Sequence, residues 1–213
     1  MLPLLRFKKG LLDYDLTKYP AVFYLSIIFF VSRIPFIDLG FSVFTNIKTD
    51  FDSLAVVNSA YLIRYAHIYK VSRFPGSPFY ESINSLLIGG GWFATNIATM
   101  IISFIAIILF GKILNILDIK NKALLLITLI FIPVIWINST ITMDYMWSLM
   151  FLLLAFYLLF TERYNYSAIA ISFAIGSRIT SGVMIIPILL YYIYKKIEIK
   201  KSLPFYLLLL LLQ

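Results

Sequence analysis

Long apolar runs alternate with short polar ones along this chain, and that alternation predicts its architecture. Residues 20–36, 84–114, 123–138, 143–160 and 166–194 are each dominated by Leu, Ile, Phe, Val, Met and Tyr. About 20 such residues in helical conformation cross a hydrocarbon layer. The pattern therefore predicts an all-α fold, a polytopic transmembrane helical bundle making a single domain over residues 1–213. Pro20 suits a first helical turn, where its missing N–H would be unpaired anyway. Arg33, near the far end of that span, is expected to snorkel to the headgroups. The second run is most apolar over 92–114, and its helix could begin as early as Pro78. A further leucine-rich run occupies 203–213 and stops at Gln213, which is expected to be the start of another span in a C-terminally truncated chain.

The fifth run is interrupted by "GSRITSG" at 176–182. Two half-length helices meeting near Arg178 would return the chain to the side it came from, with Gly176 and Gly182 letting the backbone turn and expose N–H groups. Each half is too short to span about 30 Å at 1.5 Å per residue, so the broken pair is expected to be sheltered by other helices or to line a cavity.

Composition strengthens the membrane reading. The chain is 62% hydrophobic and 17% aromatic with a mean hydropathy of +0.94, against roughly 45–50% apolar in soluble domains. The net charge of +8 does not argue for nucleic acid here. It fits the Lys/Arg bias of cytoplasmic loops, with contact to anionic headgroups. With a cytoplasmic N-terminus, the inner side receives Arg6, Lys8, Lys9, Lys18, Lys112, Lys120, Lys122, Arg163, Lys195, Lys196, Lys200 and Lys201, 12 of the 18 basic residues. The expected location is a multi-pass protein of the cell membrane. Asp38, Asp50, Asp52, Glu81 and Asp144, half of the ten acids, then fall at or beyond the outer face. No cysteine is present, which excludes thiol catalysis, disulfides and thiolate metal sites. A single histidine, His67, cannot make a His-rich metal site. No signal-peptide pattern opens the chain. Gly89-Gly90-Gly91 lacks the Lys-Ser or Lys-Thr of a phosphate loop, and no serine-nucleophile motif occurs.

Candidate chemistry concentrates in the first outer loop and at two later points. In "TDFDS", Thr49 is a good N-cap, and Asp50 and Asp52 suit a first helical turn. An amphipathic helix over 51–69 would lie along the outer leaflet, with Arg64, His67 and Lys70 facing water or headgroups. In "SRFPGSPFYES", Pro75-Gly76 fits a type II turn, and Ser77 is placed to cap a helix opening with Pro78 and Glu81. Arg73 brings a cation back beside the aspartates, where it would suit a phosphate. Arg178, a charge within an apolar segment, is a functional candidate by default. Asp144 opens the fourth span, with Thr140 or Thr142 as a cap. Asn96 is polar within the second span and is expected to bond across helices.

The order of these elements resembles the N-terminal part of a GT-C glycosyltransferase. The resemblance runs from about Phe29 to Tyr194: "SRIPF" closes span one, "TDFDSLAVVNSAYLI" makes an acidic outer loop, and "YKVSRFPGSPFYE" follows. "TNIATMIISFIA" lies in span two, "MDYMW" starts span four, and "AIGSRITSGVMIIPILL" forms the broken fifth. The proline-glycine loop is similar to that of bacterial protein O-mannosyltransferase-like and lipid A-modifying members. The "TDFDS" stretch resembles the D-x-D loop of the first mannosyltransferase of GPI-anchor assembly. Two departures stand out: the resemblance does not extend to a C-terminal extracytoplasmic part, which a truncated chain is expected to lack, and Asp-Ser stands where many members carry Asp-Glu.

The resemblance implies transfer of a sugar from a polyprenyl-phosphate donor to an acceptor hydroxyl, on a protein, lipid or glycan, by single-displacement inversion on the extracytoplasmic face. It implies that Asp52 or Asp50 is the general base, with Asp52 preferred for its closeness to the helix. It implies that Arg178 and Arg73 hold the donor phosphate, and that Asp144 orients the acceptor or binds a divalent cation, the one cofactor in view. The donor's hydrocarbon tail would lie against the broken fifth helices. A transporter shares the broken-helix signature, and a non-catalytic scaffold or subunit is the third reading. The acids gather in an outer loop rather than at mid-depth and no internal repeat is visible, which favours transfer. On that reading Arg178 and the carboxylates should gather within roughly 15 Å around one cavity.

Overall fold

The computed structural model describes residues 19–37, 51–119 and 121–195, with residues 19–23 as backbone alone. Among the described residues every regular element is helical. Helix α1 (Tyr19–Arg33) ends in a 3-10 turn, Ile34–Phe36. Helices α2 (Phe51–Tyr61) and α3 (Pro78–Leu87) flank the loop that carries Arg73. Then come α4 (Gly91–Ile116), α5 (Lys122–Phe131), α6 (Pro133–Asn138), α7 (Asp144–Phe160) and α8 (Tyr164–Ser177). A 3-10 turn, Ile179–Met184, leads into α9 (Ile185–Tyr194).

The stretch Pro78–Ile116, α3 plus α4, is long and apolar enough to cross a membrane. It bends at Gly91, whose φ of +72° only glycine adopts freely. Its 26-residue α4 alone reaches about 39 Å at 1.5 Å per residue. The remaining apolar helices are shorter, 10–17 residues.

Helix α7 packs between α4 and α8, and α1 lies against α4. The α7–α8–α9 core is built on Ala155, Leu159, Ala168, Ile171, Ala174 and Ile188; the alanines let the backbones approach closely. A second core joins α1, α4, α5 and α7 through Phe29, Ile107, Leu114, Leu126, Ile130 and Met146. Polar side chains at the α4–α7 contact form one connected hydrogen-bond network. The Asn96 amide donates to the Ile37 carbonyl at 2.8 Å and accepts from the Thr142 hydroxyl at 2.7 Å. Thr142 also shares a 2.6 Å hydrogen bond with Thr95, and the Trp147 indole donates to Thr99. The bonding of Asn96 across elements is the one expected.

The fifth apolar run breaks where the interruption predicted. Arg178 is extended (φ −156°, ψ 112°) between α8 and the 3-10 turn, and α9 returns antiparallel beside α8. Tyr164 at the start of α8 meets Tyr192 near the end of α9 at 5.5 Å, and Phe160 meets Tyr191 at 5.6 Å. The glycines act differently from expectation. Neither takes a positive φ; at Gly176 an added Cβ would lie 3.1 Å from the Phe79 Cβ, so the missing side chain lets α3 approach α8.

Several local expectations are corrected. Arg33 does not reach outward: it is 1% exposed, stacks over the Trp136 ring at 3.4 Å and the Phe36 ring at 4.5 Å, and donates to the Trp136 carbonyl. Aromatic faces and a carbonyl replace the water that snorkelling would supply. The helix predicted over 51–69 stops at Tyr61 and widens into a single π-type turn closed by left-handed His67 (φ 56°). Arg64, His67 and Lys70 are exposed as expected, although Arg64 also donates to the Ser85 and Leu86 carbonyls at the end of α3. Span 123–138 splits at Pro133, because the residue before a proline is driven to extended geometry and Ile132 adopts it (φ −60°, ψ 122°). The proline-glycine turn is centred on Phe74-Pro75 with a cis peptide, not on Pro75-Gly76 as type II; Gly76 does take the expected positive φ, +102°. Thr49, Asp50 and the 203–213 run lie outside the described residues.

Candidate functional site

Arg73 sits in the loop of residues 68–77, which is tied at both sides. The Ser59 hydroxyl on α2 donates to the Lys70 carbonyl at 2.6 Å. The Ser72 backbone N–H donates to the Glu81 carboxylate on α3 at 2.8 Å. From this loop the guanidinium reaches two carboxylates with different nitrogens. Nη1 lies 2.9 Å from Asp52 Oδ2, and Nη2 lies 2.9 Å from Asp144 Oδ1.

Asp144 is in the first turn of α7, where the helix dipole favours an anion. Its capping partner is not the one expected. Met143 occupies the cap position and has no side-chain oxygen to cap with, and the Thr142 hydroxyl is committed to Asn96. Ser77, likewise predicted as a cap, makes no cap bond in α3; its hydroxyl points to Asp144 Oδ2 at 3.5 Å.

Arg178 comes from the tip of the α8–α9 hairpin. Its Nη1 is 3.4 Å from Asp144 Oδ1, its Nε donates to the Thr180 hydroxyl at 3.0 Å, and its plane lies 4.3 Å over the Tyr145 ring. One buried carboxylate oxygen thus holds two guanidiniums that are 105 residues apart in the chain (178 − 73). Of the candidate residues, Asp52, Arg73, Asp144 and Arg178 converge on one end of the bundle. Asp50 lies outside the described residues.

The two carboxylates differ in access. The Asp144 side chain is 4% exposed and the Asp52 side chain 49%. Asp144 is therefore an internal anchor, while Asp52 stands at the rim. Burial alone would lower the Arg73 pKa, but the adjoining Asp144 and then Asp52 charges outweigh it and raise the value above that of an ordinary arginine, so this guanidinium is a permanent cation.

Beside the cluster is a pocket of ≈ 170 Å³ lined by Arg73, Phe74, Ser77, Asp144, Arg178 and Thr180, with Pro75, Gly76 and Ile179 completing the wall. Its size suits one small anionic group rather than a drug-sized ligand, which needs roughly 300 Å³ or more. Its donors suit the same group: two guanidiniums and two hydroxyls face it, and arginine forks match phosphate oxygens.

A divalent cation fits these residues poorly. The Arg73 guanidinium occupies the space between Asp52 and Asp144, so a metal would have to displace it. No group of three potential ligands forms among the described residues.

Two contributors, Thr180 and Tyr145, were not singled out in the sequence, and a third, Ser77, was singled out only as a helix cap. Thr180 lies two residues from Arg178, and Tyr145 adjoins Asp144; their only signal was adjacency to a charge. Ser77 read as a cap because Ser-Pro before a helix is the ordinary capping pattern. No family model, curated protein or solved structure matches the chain.

Proposed function

We propose that this chain is a multi-pass membrane glycosyltransferase that moves a sugar from a polyprenyl-phosphate donor to an acceptor hydroxyl on the extracytoplasmic face. One observation carries the reading: Arg73 and Arg178, from separate elements, are anchored on a shared buried carboxylate and face a pocket of phosphate size, while a second, accessible carboxylate stands beside them.

The membrane arrangement is supported by an inverted burial pattern. Thr95, Asn96, Thr99 and Ser103 are at most 1% exposed, whereas Ile28, Ile186, Leu190 and Ile193 are at least 60% exposed. In water such a distribution is costly; in lipid it is the favourable one, since polar groups must be satisfied internally. The helices too short to cross alone pack as a hairpin on α7, and the Lys/Arg bias sets the N-terminus inside.

In the reaction, the donor's phosphate sits between Arg73 and Arg178, and in doing so competes with Asp52 for Arg73 Nη1. The released Asp52 carboxylate takes the proton of the acceptor hydroxyl as that oxygen bonds to the anomeric carbon. The bond from that carbon to the phosphate oxygen breaks, its electron pair leaves with the polyprenyl phosphate, and configuration inverts. Arg73 and Arg178 stabilise the charge on the leaving phosphate, and Asp144 holds both guanidiniums in register. No step passes through a metal.

Membranes carrying the intact protein should transfer label from a polyprenyl-phosphate-linked sugar. Arg178→Ala should reduce the rate by about 10²–10³-fold, as when one preorganised charge donor is removed. A rate in Arg178→Ala equal to the unmodified protein's would refute the role of the pocket. Orientation has its own readout, because the chain lacks cysteine. A single Phe74→Cys, at a position 94% exposed, should react with a membrane-impermeant maleimide added outside intact cells. Labelling only after lysis would place the pocket on the cytoplasmic side and end the proposed chemistry.

A further inference from the structure

Glu81 is a charge that the reaction above does not use. It lies in the first turn of α3, is 0% exposed, and forms no ion pair among the described residues. A carboxylate removed from water in this way persists only if hydrogen bonds replace its hydration. Three do, all from the Arg73 loop. The Ser72 backbone N–H (2.8 Å) and the Ser72 hydroxyl (2.5 Å) both donate to Oε1, and the Tyr69 hydroxyl (2.8 Å) donates to Oε2. An ordinary acid in a first helical turn needs none of this; the dipole is satisfied from the surface. Here the side chain reaches back nine residues to grip Ser72, the residue before Arg73, by its hydroxyl and by the N–H of the Val71–Ser72 peptide.

We propose that Glu81 is a positioning residue for the anion pocket: its hydrogen-bonded carboxylate fixes the backbone from which Arg73 is presented to Asp52, Asp144 and the bound phosphate. The proposal deepens the phosphate-binding reading and rests on it. The grip is on the backbone as well as on side chains, since the Ser72 N–H fixes the peptide plane one residue before Arg73. Together with the Ser59–Lys70 bond it holds the loop from both flanking helices at adjacent points. Burial, and then the Glu81 carboxylate, push the Tyr69 hydroxyl up to about 12, so this donor stays protonated across the physiological range.

The geometry separates a hydrogen-bonding role from a charge role. In Glu81→Gln the amide oxygen can keep both Ser72 bonds, while the amide N–H donates to the Tyr69 oxygen, which accepts as readily as it donates. Glu81→Leu keeps the volume and loses all three bonds. Binding of a polyprenyl monophosphate to the chain in nanodiscs is the test. Glu81→Gln should bind as the unmodified protein does, and Glu81→Leu should bind about tenfold more weakly or worse, equivalent to a change of about 1.4 kcal/mol. In an Arg73→Ala background, Glu81→Leu should add nothing, because a residue acting only through Arg73 cannot cost anything once Arg73 is gone. Additive losses, or a Glu81→Gln as weak as Glu81→Leu, would overturn the proposal.

A spin label at Phe74→Cys keeps this test apart from the fate of the pocket reading. Glu81→Leu should mobilise the label and Glu81→Gln should not, whether or not the probe binds. An immobile label in Glu81→Leu refutes the positioning role. Equal probe affinity in Arg73→Ala and the unmodified protein instead refutes phosphate binding at the pocket. Should Glu81→Leu fail to accumulate, Tyr69→Phe with Ser72→Ala removes two of the three donors, leaves the carboxylate in place, and should mobilise the label in the same way.

Discussion

Asp52→Asn should lower sugar transfer by about 10²–10⁴-fold, the usual contribution of a positioned general base, with little change in insertion or stability. The separation of the two effects follows from exposure. The Asp52 carboxylate is 49% exposed and bound to Arg73 at 2.9 Å, and an ion pair so open to solvent is worth only about 0–1 kcal/mol. Donor binding should survive the substitution or tighten slightly, because Asp52 competes with the phosphate for the same guanidinium nitrogen. Transfer rate and donor affinity measured side by side provide the check. A variant that transfers at the original rate removes Asp52 from the chemistry, and a larger loss in Asp50→Asn than in Asp52→Asn would move the base to that neighbouring position.

Asp144→Ala should behave differently, damaging stability and activity together. The carboxylate is buried and contacts both Arg73 and Arg178. Without it two like charges face each other across a small pocket. Removing one partner from a fully buried pair costs about 3–5 kcal/mol; here both guanidiniums retain some solvent, so about 2–4 kcal/mol is expected. The first turn of α7 also loses its anion at the positive end of the helix dipole. Asp144→Asn, which keeps an acceptor oxygen, should fall between the two. Thermal unfolding in detergent, followed through the helix signal, gives the comparison. An Asp144→Ala protein that melts with the original would mean the shared carboxylate is not the anchor of the site. A bound phosphate should partly restore the lost stability, since it supplies the missing negative charge between the same two arginines.

Some of the site was readable in the chain because its residues break a local rule. Arg178 is a charge in an apolar run, Asp144 opens an apolar helix, and Asp52 and Arg73 belong to the polar loop of a chain poor in acids. Arg178 is anomalous where it stands, whereas Asp52 and Asp144 also suit ordinary helix starts and stood out by gathering on one side of an acid-poor chain; all four lie in the observed cluster. Glu81, Ser77 and Tyr145 break no rule. An acid or a serine at a helix start, and an aromatic beside it, have ordinary explanations that are complete without any partner. Only contacts across 9 residues for Glu81 with Ser72, or 67 for Ser77 with Asp144, reveal what they do. Arg33 failed for the opposite reason. Its position near a helix end made an outward reach the cheap solution, but Trp136, 103 residues away, offers a ring face and a carbonyl that keep it inside.

The apolar runs by themselves determined that the described residues are helical, the approximate course of α1, α4 and α7, and the break of the fifth run near Arg178, because helix length and interruption by charge are local properties of the backbone. The end of α2 at Tyr61 and the split at Pro133 were not read in advance. Tertiary structure decided which charges face each other. It chose the shared Asp144 oxygen, the Arg73 bridge to Asp52 and the burial of Glu81, since those depend on how α2, α3, α7 and the α8–α9 hairpin close on one another. Electrostatic pairing acts over a few ångströms of space and carries no signature of separation along the chain.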